Sequence, residues 1–180
     1  MSDLNATSGL WTIDPTHTTI GFSARHAMVA KVRGRFSAFS GTLNLDGANP
    51  AASSAELTIE TASITTENAD RDGHLKSADF LDVETFPTIT FTSTSVQPQG
   101  SAFVVTGDLA IKGTTHSVPV TFELLGVGGD PWGGTRIGFE GETEISRKDF
   151  GLTWNVALET GGVLVSDSVT LQFDVEAIKQ

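Results

Sequence analysis

Residues 169–177 read Val-Thr-Leu-Gln-Phe-Asp-Val-Glu-Ala, an unbroken alternation of apolar and polar side chains. Successive side chains of a strand point to opposite faces, so Val169, Leu171, Phe173, Val175 and Ala177 share one greasy face. Thr170, Gln172, Asp174 and Glu176 share the wet one. Upstream, Ile137, Phe139, Gly141, Thr143 and Ile145 alternate with Arg136, Gly138, Glu140, Glu142 and Glu144, whose carboxylates require that face to meet water.

Working outward, the same reading predicts strands over Thr18–Arg25, Gly41–Leu45, Ser54–Glu60, Thr88–Val96, Ala102–Ile111 and Val118–Leu125, about eight in all. Turn chemistry separates them: Asp14-Pro15, Asp46-Gly47, Pro98-Gln99-Gly100, Lys112-Gly113 and Gly128-Gly129-Asp130-Pro131. Only Asn68–Leu81 reads as a helix, free of proline and carrying Leu75, Ala78 and Phe80 close together. Strands joined by short turns favour antiparallel hairpins, which leaves a sandwich or a barrel.

The 180 residues suit one domain, expected over 10–180 behind a flexible segment 1–9. A formal charge of −11 repels phosphate backbones, which excludes nucleic acid as a partner. There is no cysteine, so disulfides, thiolate metal sites and thiol nucleophiles are excluded together. The N-terminus lacks a basic and apolar leader pattern, and the expected location is the cytoplasm.

Local motifs carry no catalytic constellation. His17, His26, His74 and His116 show no HxH or HExxH spacing, no serine sits in GxSxG, and Asp149-Phe150-Gly151 stands without the other kinase motifs. Asn68-x-Asp70-x-Asp72-Gly73 followed by Asp79 has the spacing of a calcium loop. Lys76 and a closing Asp where Glu is required argue instead for an acid-rich helix start. From these residue types no catalytic residue, no metal and no cofactor is expected. The charge distribution says more: Arg25, His26, Lys31, Arg33 and Arg35 fall in a stretch without carboxylates between Asp14 and Asp46. They form a cationic patch on an anionic protein, interleaved with Phe22, Met28, Val29, Phe36 and Phe39.

Taken in order, Trp11-x-Ile13-Asp14-Pro15-x-His17, Phe22-x-x-Arg25-His26, Val32-x-Gly34-x-Phe36-x-x-Phe39-x-Gly41 and Asp72-x-His74-Leu75-x-x-x-Asp79-Phe80 make up one set of motifs. Phe86-Pro87-x-Ile89-x-Phe91, Gly107-x-Leu109-x-Ile111-x-Gly113 and Ile145-x-Arg147-x-Asp149-Phe150-Gly151 continue it. The ordered set, over roughly residues 10–178, resembles the YceI-like family of polyisoprenoid-binding proteins. The resemblance implies an all-β fold: an extended, eight-stranded, antiparallel, lipocalin-like β-barrel with one short helix around residues 68–81. It also implies a long apolar pore for a polyprenyl or other long-chain amphiphilic lipid. Leu81 departs from the family pattern, which often has a second aromatic there.

On that reading the protein is a non-catalytic binder, store or carrier. The lipid tail is expected against Phe22, Phe36, Phe39, Leu75, Phe80, Phe91, Ile111, Phe122, Phe139 and Trp154. Arg25, Lys31 and Arg35 are the candidates for a phosphate head, His26 and His74 for a neutral one, and Arg147 matches a further family position. Transient membrane contact and a homodimer are the expected associations. The alternatives are a metal-assisted enzyme acting on a lipid through His26 and His74, and a stress-associated interaction protein.

Overall fold

The computed structural model describes residues 4–180. Its strands are β1 (Gly9–Ile13), β2 (Thr19–His26), β3 (Ala30–Phe36), β4 (Phe39–Leu45), β5 (Ser54–Glu60) and β6 (Ile64–Thr65). After the helix α1 (Ala69–Lys76) come β7 (Thr88–Gln99), β8 (Ala102–Ile111), β9 (Thr114–Gly129), β10 (Thr135–Ser146) and β11 (Val165–Lys179). These eleven segments trace eight strand lines. β1 and β2 run on through the turn at Asp14–Thr18, β3 and β4 through Ser37 and Ala38, and β5 and β6 through the 3-10 turn Thr61–Ser63. Each line pairs antiparallel with the next in the chain, and β11 closes the sheet on the first line, against β1 near Ala177 and against β2 over 165–174. The result is a closed up-and-down barrel, which leaves few strand edges unpaired.

Reading the inward residues across the register shows why it closes. Phe103, Phe122, Gly141, Phe173, Ile20 and Phe36 lie opposite one another on consecutive strands, one layer of the barrel interior. The alternation in β10 and β11 is realised as expected, with Ile137 and Ala177 essentially inaccessible. The structure adds β1 and β3 to the expected strands. β1 is a short run around Trp11, and β3 alternates cations with small and apolar residues, so each is marked by its neighbours more than by its own composition.

The helix is shorter than the predicted 68–81. Asn68 caps it, its side chain accepting from the Arg71 amide at 3.0 Å, and it ends at Lys76 where Ser77 turns extended. Residues beyond it form successive turns, with Asp82 in the left-handed region at φ 48°. Of the segment 1–9 expected to be flexible, residues 1–3 lie outside the described residues, and Leu4–Thr7 form a 3-10 turn whose Thr7 carbonyl accepts from Trp11 Nε1 at 2.7 Å.

The two ends of the barrel differ. At the helix end lie the β2–β3 hairpin, α1, the β8–β9 turn and segment 147–164. At the terminal end lie Leu4, Gln180 and the β4–β5, β7–β8 and β9–β10 loops. A tight cluster of Ile59, Ile64, Leu81, Ile89, Leu109, Ile111, Val118 and Phe150 fills the helix half. A smaller one, around Trp11, Leu43, Ile137 and Ala177, braces one wall of the terminal half.

Candidate apolar binding cavity

Between those clusters the barrel is hollow. A cavity of about 140 Å³ lies among Ile13, Ile20, Leu43, Leu57, Phe91 and Val96 on one side and Phe103, Val105, Val120, Phe122, Leu124, Phe139, Phe173 and Val175 on the other. Its surface is almost wholly carbon. The inner limit is set by Ile20, Leu57 and Val120, beyond which the packed cluster begins. The outer limit lies under Leu4, Thr7 and the β4–β5 loop at Asp46, Gly47, Pro50 and Ser53. An enclosed apolar cavity of about 150 Å³ takes up a molecule the size of benzene.

The cover at the outer limit is closely fitted. Gly47 donates its amide to Ser8 Oγ at 2.8 Å, and a Cβ on Gly47 would run into the Leu4 carbonyl. Glycine is therefore required there for the approach of two backbones. Three further glycines make room inside the wall: a Cβ on Gly34, Gly107 or Gly141 would strike the ring of Phe22, Phe91 or Phe122 respectively. These rings lie flat over a neighbouring strand, which leaves the axis of the barrel less filled.

The structure brings Phe91, Phe122 and Phe139 together on the cavity, while the other seven tail candidates stand elsewhere. Phe22, Phe36, Phe39, Leu75, Phe80 and Ile111 belong to the packed helix half or lean on it. Trp154 stands at the helix end, its ring 4.5 Å from that of His74 and 5.4 Å from that of Phe80. The expected long apolar pore is open here as a cavity in the terminal half, while β-branched and leucine side chains from six strands interdigitate in the other. Phe103 and Phe173, absent from the tail candidates, line the cavity; their parity with Phe122 and Phe139 across the register was the available signal.

Of the head-group candidates, Arg25, His26, Lys31, His74 and Arg147 fall at the opposite end, and Arg35 lies nearer mid-barrel, opposite Gly21. Arg25, Lys31 and Arg35 are exposed on the outer face of the β2–β3 hairpin, with Arg35 at 3.6 Å from Glu67. His26 ends β2, and His74 Nε2 lies 2.9 Å from Asp79. Arg147 is buried, and its guanidinium donates to the carbonyls of Ser166 at 2.8 Å, Leu152 at 2.5 Å, Trp154 at 3.0 Å and Val165 at 3.3 Å. The reading of Arg147 as a head-group ligand is corrected: its donors are committed to backbone, and it pins segment 152–166 to the barrel. Burial pulls its pKa down, partly offset by Asp167.

At the terminal end the Arg136 guanidinium sits among Asp14 at 2.8 Å, Glu176 at 2.5 Å and Asp130 at 3.0 Å. Hydrogen bonds from Thr16 and His17, with Arg136, hold the Asp14 carboxyl well below the usual carboxylate range. Asp14, His17 and Glu176 are the one group of three or more His and carboxylate residues among the described residues with ligand atoms within 4.8 Å of one another. Arg136 already supplies the positive charge in their midst. Neither His26 nor His74 belongs to that group. Asp72, one of the carboxylates with calcium-loop spacing, accepts from the Thr66 amide at 2.8 Å and hydroxyl at 2.6 Å. No helix among the described residues is long and apolar enough to cross a membrane.

A family model described as "YceI-like domain" matches residues 11–177. Protein YceI of Escherichia coli O157:H7 is 42% identical over 164 residues, which cover 91% of this chain and 83% of that protein. The crystal structure of Burkholderia cenocepacia BcnA superposes with a TM-score of 0.79 at 27% identity, covering 91% of this chain and 98% of the other. A polyisoprenoid binding domain from Saccharophagus degradans, implicated in plant cell wall breakdown, shares the fold with a TM-score of 0.69 at 17% identity, over 94% and 98% of the two chains.

Proposed function

The chain belongs to the YceI-like family, and from that premise we propose that it binds, without transforming it, a polyisoprenoid or similar amphiphilic lipid whose apolar end enters the barrel. The carbon-lined cavity of about 140 Å³ carries the reading. Its lining supplies hydrocarbon surface, and each buried methylene contributes about 0.8 kcal/mol to retention without any reacting group. The polyisoprenoid-binding domain with the same fold supports the same class of guest.

The volume sets the scale of the guest's first step inside: about one isoprene unit fits between the walls as they stand. A longer tail enters by displacing the rings of Phe91, Phe122, Phe139 and Phe173, which lie along its path. The head is neutral on this reading. The cations Arg25 and Lys31 stand at the far end of the molecule, Arg35 faces outward beside Glu67, and near the cover Asp46 and the Asp14–Asp130–Glu176 group are acidic, with Arg136 already paired. A hydroxyl, quinone or amide meets no charge penalty there, whereas a diphosphate does.

Solvent extraction of the protein purified from its own cells, followed by mass spectrometry, tests the proposal: a neutral prenyl or long-chain lipid is the expected finding. Ala55 lines the cavity, so Ala55→Leu fills part of it and is expected to lower uptake of a short prenyl alcohol about ten-fold. An empty extract together with identical uptake by Ala55→Leu would overturn the proposal.

A further inference from the structure

The β2–β3 hairpin carries Arg25, Lys31, Arg33 and Arg35 on its outer face, and Arg25 stands directly opposite Lys31. Like charges in that position destabilise a strand pair. Arg35 has Glu67 nearby, but Arg25, Lys31 and Arg33 have no ion-pair partner among the described residues. This is a locally repulsive array on a chain whose net charge is −11.

The tip of the same hairpin is apolar. Met28 is 58% exposed and Val29 80% exposed. Ala27 and Met28 hold left-handed backbone at φ 51° and 64°, where glycine or asparagine is the usual choice. Ala27 donates its amide to the Leu164 carbonyl at 2.7 Å, and Leu164 donates to Val156 at 2.9 Å, so the half-exposed Val156 shares this corner. Three of the six exposed large apolar side chains among the described residues therefore lie in one region of the helix end with a basic flank.

We propose that the β2–β3 hairpin docks the protein on an anionic lipid bilayer, with Met28, Val29 and Val156 entering the interfacial layer and Arg25, Lys31 and Arg33 meeting lipid phosphates. The two halves of the device need each other. The cations draw the hairpin to a negative surface over about a Debye length, and the apolar tip holds it once there. An acidic protein surface satisfies the cations but leaves the tip unexplained. The inference goes beyond the cargo reading and does not depend on it: the hairpin is at the helix end, so a docked molecule holds the outer end of its cavity away from the bilayer.

Flotation of the full chain with phosphatidylcholine vesicles, with and without phosphatidylglycerol, tests it. The protein is expected to float only with the anionic vesicles, and less as salt rises. Lys31→Gln or Arg33→Gln is expected to weaken partition about five-fold each. Met28→Ser with Val29→Ser keeps every charge and is expected to lose retention at moderate salt. Trp132→Ser, at an 84% exposed position of the terminal end, is expected to change nothing. Equal partition to both vesicle types, or unchanged partition of the folded hairpin variants, overturns the proposal. β3 pairs with β6 only at Arg35 and Phe36, leaving the edge over 30–34 free. If Arg33→Gln instead produces dimers while vesicle partition is unchanged, the cations guard that edge and the docking role is refuted. Uptake of a prenyl alcohol by the same variants reports on the cavity separately.

Discussion

Arg147 is a cation turned wholly to structure. Four backbone carbonyls of segment 152–166 accept from one buried guanidinium, and that of Val165 also accepts from Asn155 Nδ2 at 2.7 Å. Arg147→Met is therefore expected to cost about 3 kcal/mol, read as a fall in the denaturant midpoint, because several buried acceptors are left without donors. Arg147→Lys is expected to recover little, since one ammonium does not span carbonyls arranged around a planar fork. Asp14 makes a prediction in pH. Its folded pKa is depressed by the Thr16 and His17 hydrogen bonds and by Arg136, so its contribution to stability is fully present above the ordinary carboxylate value of about 4. That contribution is lost as pH falls toward the folded pKa. Asp14→Asn is expected to lower stability at neutral pH and to flatten the acid limb of a melting-temperature profile.

Among the elements, the pairs Phe22 with Gly34, Phe91 with Gly107 and Phe122 with Gly141 repeat one device, a ring laid over the bare backbone of a neighbouring strand. Gly141→Ala is expected to push the Phe122 ring into the cavity, costing about 1–3 kcal/mol in thermal denaturation and reducing uptake of an apolar ligand. Sequence patterning made β10 and β11 legible because one apolar and one acidic face alternate without a break over their inward rows. It did not make β3 legible, since Lys31, Arg33 and Arg35 read as a charge patch and only the pairing with β2 makes them the outer face of a strand. The helix was legible at its Asn68 cap and misjudged at its end, where the turns after Lys76 depend on packing against the barrel. For the candidate site, Phe122 and Phe139 were recognisable as inward-facing, but nothing along the chain distinguishes a ring beside a void from a ring in a packed layer.

At the scale of the molecule, the barrel is divided between a filled helix half and a hollow terminal half, and the division is testable. Leu109→Ala, inside the filled half, is expected to cost 2–5 kcal/mol on a denaturant scale, roughly the range for opening a cavity in a rigid core. Phe139→Ala, on the existing void, is expected to cost less and to enlarge the ligands the barrel takes up, measured by binding of prenyl alcohols of increasing length. The same division sets the hairpin tip, with Arg25 and Lys31, at the filled end of the barrel. The sequence by itself determined an antiparallel β architecture, the inward faces of its longest strands, and through its ordered motifs the family, because alternation and turn chemistry are local properties of the chain. Only the tertiary structure decided where the interior stays empty, that Arg147 serves the backbone, and that Arg25 and Lys31 stand at the end away from the cavity. Those are sums over residues far apart in sequence, fixed when β11 closes on the first strand line and sets the register of all the others.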